Sequence, residues 1–197
     1  MSQKTTSLEL VLIRHGATEW SESGRHTGTT DLPLTDLGKS QAEKLHERLK
    51  SEKFSKVFCS PLKRAVETCR LCGLNPTIIP DLREWNYGDY EGLTTEQICE
   101  KNPGWNLFEQ GAPGGETPQQ IVERAHHFLH QVHSFEGKIA IFSSAHFLRT
   151  FATQWLGVMP SFGKSLFLSP GSLSILGYER IDRVILRWND ISHLSRI

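Results

Sequence analysis

Four short clusters in this sequence carry side chains suited to work on a phosphate ester. They are Arg14-His15-Gly16, Ser60-Pro61-Leu62-Lys63-Arg64, Arg83-Glu84 and Ser143-Ser144-Ala145-His146. Arginine offers a planar fork of donors that matches phosphate oxygens. A neutral imidazole can attack phosphorus and form a covalent intermediate. A carboxylic acid can protonate a leaving alkoxide and then, as carboxylate, activate water. His15 and His146, Arg14 and Arg64, and the carboxylate of Glu84 would make such a site if the fold brought them together.

The elements around the clusters predict that it does. Each cluster follows a short apolar or β-branched run read as a strand: Leu8–Ile13, Lys56–Cys59, Thr77–Ile79 and Lys138–Phe142. In open α/β sheets, ligands bind beyond the carboxyl ends of the strands. Helical spacing appears over Leu37–Leu49, with Leu37, Ala42, Leu45 and Leu49 on one side. Ser60-Pro61 reads as an N-cap and first helical residue of a helix to about Cys72, with backbone N–H groups aimed at the same edge. Thr117-Pro118 opens another helix, to about Phe135; Thr94–Lys101 and Phe147–Leu156 complete the set. The Gly-rich stretch up to Asp36, Pro80–Gly92 and Asn106–Glu116 read as loops, and Ser172–Tyr178 with Arg183–Trp188 as a closing hairpin. Strands alternating with helices predict an α/β sandwich with a mostly parallel central sheet flanked by helices. No linker or internal repeat interrupts residues 1–197, which read as a single domain.

The bulk numbers narrow the class. Lys+Arg and Asp+Glu are equal at 22 each, which argues against a general nucleic-acid binder. No apolar run is long enough to span a membrane. Met1–Thr6 is polar and lacks an apolar signal core, so a cytoplasmic location is expected.

LIRHGATEW (Leu12–Trp20) resembles the signature of the histidine phosphatase superfamily, the phosphoglycerate mutase-like fold. Further blocks follow in the family's order. They are Arg25-His26-Thr27-Gly28, Leu34-Thr35 with Gly38, SPLKRAVET (Ser60–Thr68), LREWNYGDYEG (Leu82–Gly92), PGGET (Pro113–Thr117) and SPGSLSILGYE (Ser169–Glu179). The resemblance covers nearly the whole chain and implies a three-layer α/β sandwich. It implies that His15 is the phosphorylated nucleophile, that Arg14 and Arg64 bind the transferred phosphoryl group, and that Glu84 is the proton donor and acceptor. Thr18, His26, Thr27, Gly28 and Tyr87 would line the substrate pocket. No metal or nucleotide cofactor is implied, and the partner would be a small phosphorylated metabolite.

The phosphatase branch fits better than the mutase branch, whose longer insertion after the acid block carries a basic pair. Here Thr94–Gly111 has only Lys101. The WNYGDYEG block resembles the branch of sedoheptulose-1,7-bisphosphatase and related sugar-phosphate phosphatases. One position departs from the pattern. Ser144 stands where the family usually places a second phosphate-contacting histidine, and His146 lies two residues on. Either His146 supplies the missing donor, or the protein is a slow enzyme or a phosphate-ester-binding module.

Several features have plainer readings. Cys69 and Cys72 form a C-x-x-C pair inside a helical pattern with no second ligand pair, and read as packed thiols. His126, His130 and His133 share a helix face with no carboxylate or thiolate opposite, and read as a solvated flank. Lys63 reads as a solvated helix residue. Arg149 reads either as a surface charge or as a brace for the site, and Trp85, Trp105 and Phe108 either as a lid or as core.

Overall fold

The computed structural model describes residues 8–194; Met1–Thr6 of the sequence reading lie outside the described residues. Six strands form one sheet: β1 (Glu9–Arg14), β2 (Lys56–Cys59), β3 (Thr77–Ile78), β4 (Lys138–Ser143), β5 (Leu173–Glu179) and β6 (Asp182–Asp190). Their order is β3-β2-β4-β1-β5-β6. β1, β2, β3 and β4 pair in parallel, and the β5–β6 hairpin adds antiparallel to β1. The parallel strands therefore end on one edge.

Period-two alternation sorts the strand residues between two cores. Leu10 and Leu12 of β1, with Ile139 and Ile141 of β4, join one cluster; Val11, Ile13, Ala140 and Phe142 join the other. α6 (Pro118–Val132) and α7 (Ala145–Leu156) cover the first face through Ile121, Phe128, Phe147 and Phe151. α2 (Asp36–Leu49) and α3 (Lys63–Leu71) cover the second through Leu45, Leu49, Ala65 and Cys69. Helix, sheet and helix make the expected three layers. Three short helices remain: α1 (Glu19–Glu22), α4 (Thr95–Lys101) and α5 (Leu107–Gln110).

Thr117 and Gln120 form the capping box of α6, with Pro118 in the first turn as the sequence predicts. Two helix starts differ from expectation, and both bear on the site. α3 begins at Lys63 rather than Pro61; its N-cap is Leu62, whose side chain makes no capping bond. The Asp31 carboxylate takes over, accepting from the Lys63 N–H at 2.7 Å. A cap supplied from a distant loop has no local sequence signature. α7 begins at Ala145 rather than Phe147, which brings His146 into its first turn. α1 and α5 lie in stretches read as loop. Each is a single turn started by a side-chain cap, Thr18 or Asn106, and is too short to show periodicity.

Candidate active site

His15 follows the last residue of β1. Its N–H donates to the Ser143 carbonyl of β4, and its carbonyl accepts from the Gly171 N–H, both at 3.0 Å. Gly16 must be glycine for a steric reason. A Cβ there would lie 2.3 Å from the Gly38 carbonyl oxygen at the start of α2, and one on Gly38 would lie 2.1 Å from that of Ala17. The Gly16 N–H donates to Thr68 Oγ1 of α3, and the Ala17 N–H to Gln41 Oε1 of α2. Both helices of one layer thus hold the turn that carries His15.

The imidazole is 4% exposed. Its Nδ1 lies 2.7 Å from the Gly16 carbonyl. A carbonyl only accepts, so Nδ1 carries the hydrogen and the lone pair sits on Nε2. Nε2 makes no hydrogen bond to the described residues, and His15 lines a cleft of about 240 Å³. Burial first, then Arg64 and Arg14, push the pKa of His15 well below the ordinary 6.5. The ring is therefore neutral at physiological pH and offers Nε2 as a nucleophile.

Arg14 lines the cleft and donates from Nη1 to the Leu168 carbonyl at 2.5 Å. Burial lowers its pKa to about 10, which leaves it charged. Arg64 is fully buried and does not line the cleft. Its Nη1 donates to the Thr30 carbonyl and its Nη2 to the carbonyls of Thr27 and Gly28. Gly28 is likewise a packing residue. Its N–H donates to Glu91 Oε1, and a Cβ there would lie 2.4 Å from the Trp85 carbonyl oxygen. The Nε atoms of both arginines and the Ser144 hydroxyl are buried and hydrogen-bond to nothing among the described residues. Of the three residues, only Arg14 lines the cleft.

Glu84 is 5% exposed and lines the same cleft as His15. Its Oε1 accepts from the N–H groups of Trp85 and Phe147, both at 2.8 Å, and its Oε2 from that of His146 at 3.0 Å. The carboxylate therefore sits on the first turn of α7, where helix N–H groups need acceptors. From sequence, the free N–H groups at this edge are expected from the helix after Ser60-Pro61. The structure places Lys63 N–H on Asp31 and gives the edge to α7 instead.

The loop bearing Glu84 is held by a pair the sequence reading missed. Glu116 accepts two bonds from Arg124, from Nε at 2.7 Å and Nη2 at 2.8 Å, and a third from the Asn86 N–H. Arg124 also donates to the carbonyls of Asp81, Arg83 and Glu84. PGGET carries Glu116 and α6 carries Arg124. A pair eight residues apart across a helix start fits no periodic template.

The remaining residues divide. His26, Thr27, Tyr87 and His146 line the cleft as expected. Thr18 does not; it is buried and caps α1, accepting from the Ser21 N–H. Ser144 is 1% exposed and does not line the cleft either. Ser21, Gly24, Arg25, Thr95, Arg149 and Phe167 line it without having been assigned to it from sequence. Arg149 is a brace: Nε donates to the Gly163 carbonyl, Nη2 to that of Lys164, and the guanidinium lies over the Phe108 ring. Trp85, Trp105 and Phe108 are core, and the two indole N–H groups donate to the carbonyls of Glu116 and Gly111. Trp105 and Phe108 also bound a second cavity of about 200 Å³. It shares His26, Thr95, His146 and Arg149 with the first.

The plainer readings hold. Cys69 and Cys72 are buried, free thiols. His126, His130 and His133 are exposed, and Lys63 is exposed on α3. Among the described residues, no three His, Cys, Asp or Glu side chains gather as metal ligands would.

The histidines of the cleft make a prediction about stability. Burial lowers the pKa of His26 to about 4 and those of His15 and His146 well below 6.5. The unfolded chain takes up these protons near pH 6.5 and the folded chain does not. Their contribution is thus present above pH 6.5 and lost as pH falls. By pH 5, His26 alone should cost ~2 kcal/mol. Melting temperature should therefore drop clearly between pH 7 and pH 5; a flat profile over that range would contradict the burial of these rings as neutral groups.

The pattern of the histidine phosphatase superfamily (branch 1) matches residues 10–191. An acid phosphatase of Mycobacterium tuberculosis is 38% identical over 175 residues, covering 86% of each chain. The sedoheptulose 1,7-bisphosphatase of Saccharomyces cerevisiae is 37% identical over 182 residues, 75% of this chain and 67% of that one. Among solved structures, an open reading frame product of M. tuberculosis superposes with a TM-score of 0.89 at 35% identity, over 92% of this chain and 96% of that one. The α-ribazole phosphatase of Shigella flexneri superposes at 0.81 with 26% identity, over 92% and 96%. The chain belongs to the histidine phosphatase superfamily.

Proposed function

We propose that this protein hydrolyses phosphomonoesters through a phosphohistidine on His15, the whole chain acting as one domain. The observation that carries the reading is the state of His15. It is a neutral ring with Nδ1–H committed to the Gly16 carbonyl and an unbonded Nε2, beside the guanidinium of Arg14. Nε2 attacks phosphorus, the P–O bond to the leaving group breaks, and Glu84 delivers a proton to the departing oxygen. Water then attacks the phosphohistidine while Glu84 takes its proton, and orthophosphate leaves. Arg14 in the cleft, and Arg64 behind it, offset the charge of the transferred group.

A small sugar phosphate or bisphosphate is the substrate class of this reading. Beyond Arg14, the cleft is lined by two more cations, Arg25 and Arg149, and by one carboxylate, Glu84. That surplus suits a leaving group with a second anionic substituent. The named activity of the yeast relative, a sugar bisphosphatase, supports the same class. A cytoplasmic setting belongs to this reading. Among the described residues, no helix is long and apolar enough to cross a membrane.

The test is phosphate release from a panel of esters: p-nitrophenyl phosphate, sugar monophosphates, sugar bisphosphates and 3-phosphoglycerate. Release should persist in EDTA, because arginines stand where metallophosphatases cluster carboxylates. Bisphosphates should lead the corresponding monophosphates about tenfold in kcat/KM, the effect of one added charge-assisted contact. Inactivation by EDTA with recovery on adding Mg²⁺ would overturn the mechanism. Isomerisation of 3-phosphoglycerate in place of hydrolysis would make the protein a mutase.

A further inference from the structure

His146 and Tyr87 form a hydrogen-bonded pair in the wall of the cleft, the phenol buried and the imidazole partly exposed. Tyr87 is 1% exposed, and its hydroxyl lies 2.6 Å from His146 Nδ1. Either group could be the donor, and the surroundings decide between them. If Nδ1–H donated to the phenol oxygen, the phenol hydrogen would need another acceptor. Among the described residues, Tyr87 Oη has no other hydrogen-bond partner. A buried hydroxyl hydrogen left unbonded is costly. If the phenol donates to Nδ1, both groups are satisfied by one bond. The hydrogen of the neutral ring must then reside on Nε2. Nε2 hydrogen-bonds to no described residue and is not among the buried unpartnered atoms, and His146 lines both cavities.

We infer that Tyr87 is a positioning residue that acts through His146: its hydroxyl holds the ring as the Nε2–H tautomer and turns that donor toward the oxygens of the bound ester. This rests on the phosphatase reading above and adds to it a substrate-facing donor that cannot change sign with pH. The groups facing the ring are Glu84, whose Oε2 lies 3.9 Å from Nδ1, Arg149 and Arg14, His26 at 5.9 Å between ring centroids, and Phe108. Burial, followed by Arg149, His26 and Arg14, holds the ring neutral. Burial holds the Tyr87 phenol protonated. The pair therefore stays a donor chain, Tyr O–H to Nδ1 and Nε2–H to substrate, across the neutral range.

Position 146 also answers the question raised by Ser144. Ser144 is buried and does not line the cleft, whereas His146, two residues on, does. The second donor of the site has moved by half a helical turn along α7, and Tyr87 is what holds it there.

The test is a double-mutant cycle with a spectroscopic arm. Glutamine can place its amide N–H near the position of Nε2 and has no tautomer to set. His146→Ala should lose about 10²-fold in kcat, and His146→Gln, which restores an N–H but not the ring, should lose clearly less. Tyr87→Phe should cost about fivefold in kcat in the His146 background. In the His146→Gln background it should cost nothing further. Nitrogen-15 chemical shifts of His146 should show a protonated Nε2 and a bare Nδ1 in the unmodified protein between pH 6 and 8. Equal losses from Tyr87→Phe in both backgrounds would mean that Tyr87 touches the substrate itself, and would overturn the inference. So would a protonated Nδ1. The shifts are read without turnover, so they stand or fall separately from the phosphatase reading, which the ester panel tests.

Discussion

Replacing His15 with alanine should abolish the acid-labile phosphoenzyme and reduce turnover by on the order of 10⁴-fold or more, the scale on which enzymes lose activity when the nucleophile is removed. The residual rate would come from Arg14 and the other donors still gathered around a bound ester. The size of the effect follows from the ring's environment. Nδ1 is committed to the Gly16 carbonyl at 2.7 Å, so only Nε2 can attack. With the pKa pushed well below 6.5, the attacking form is present through pH 6 and is lost only when pH falls to that lowered value. The acid limb of kcat/KM should therefore show no ionisation near 6.5 other than that of the ester's own phosphate, whose second pKa is about 6. Rapid quenching with a phosphorus-32-labelled ester, followed by mild acid, checks the first claim; a pH series in EDTA checks the second. Unchanged labelling of His15→Ala would remove the central step. A limb near 6.5 that stays put when esters of different phosphate pKa are compared would mean that the ring is not buried as described.

How far the site could be read from sequence depended on distance along the chain. Arg14 ends β1, His15 follows it and Glu84 lies past β3; all three line one cleft, as expected where α/β sheets gather their ligands. The two core faces were equally legible, because alternation in Leu10–Ile13 and Ile139–Phe142 is a local property. The resemblance of the sequence blocks to a family added roles that no spacing could assign. It transferred unevenly. Arg64 and Gly28 fall in matching blocks, yet here they lock to each other through the Gly28 carbonyl, and neither lines the cleft. Thr18 matches a pocket position and instead caps a single-turn helix.

What stayed hidden was set by contacts between distant segments. Asp31 capping α3, Glu116 and Arg124 bracing the Glu84 loop, and Arg149 holding the carbonyls of Gly163 and Lys164 each join parts of the chain that no local pattern connects. The start of α7 shows the cost of such blindness. Two residues in the helix boundary decide whether His146 is a loop residue or a first-turn residue whose N–H meets Glu84. The signal lies in Glu84, 62 residues earlier.

Glutamine at position 84 should separate the roles of this carboxylate. As an acid, Glu84 should be worth on the order of 10²- to 10⁴-fold for alkyl leaving groups such as those of sugar phosphates. An aryl phosphate such as p-nitrophenyl phosphate releases a stable phenolate and needs little protonation, so its first step should slow far less. The structural role complicates the variant in a calculable way. Both oxygens of Glu84 accept backbone N–H groups, from Trp85 and Phe147 on one side and His146 on the other. An amide has one oxygen and one NH₂, so at least one helix N–H would face another donor and go unsatisfied. That should cost ~1–3 kcal/mol of stability. It should appear as a lower melting temperature at saturating substrate and as an equal loss on every ester. Assays must therefore be run well below the variant's melting temperature, and the ratio of the two losses, not either alone, reports the acid. The ratio should be about 10²-fold or larger in favour of the aryl ester. Equal losses on sugar and aryl phosphates, in a variant verified as folded, would assign Glu84 to holding the start of α7 and send the search for the proton donor elsewhere in the cleft.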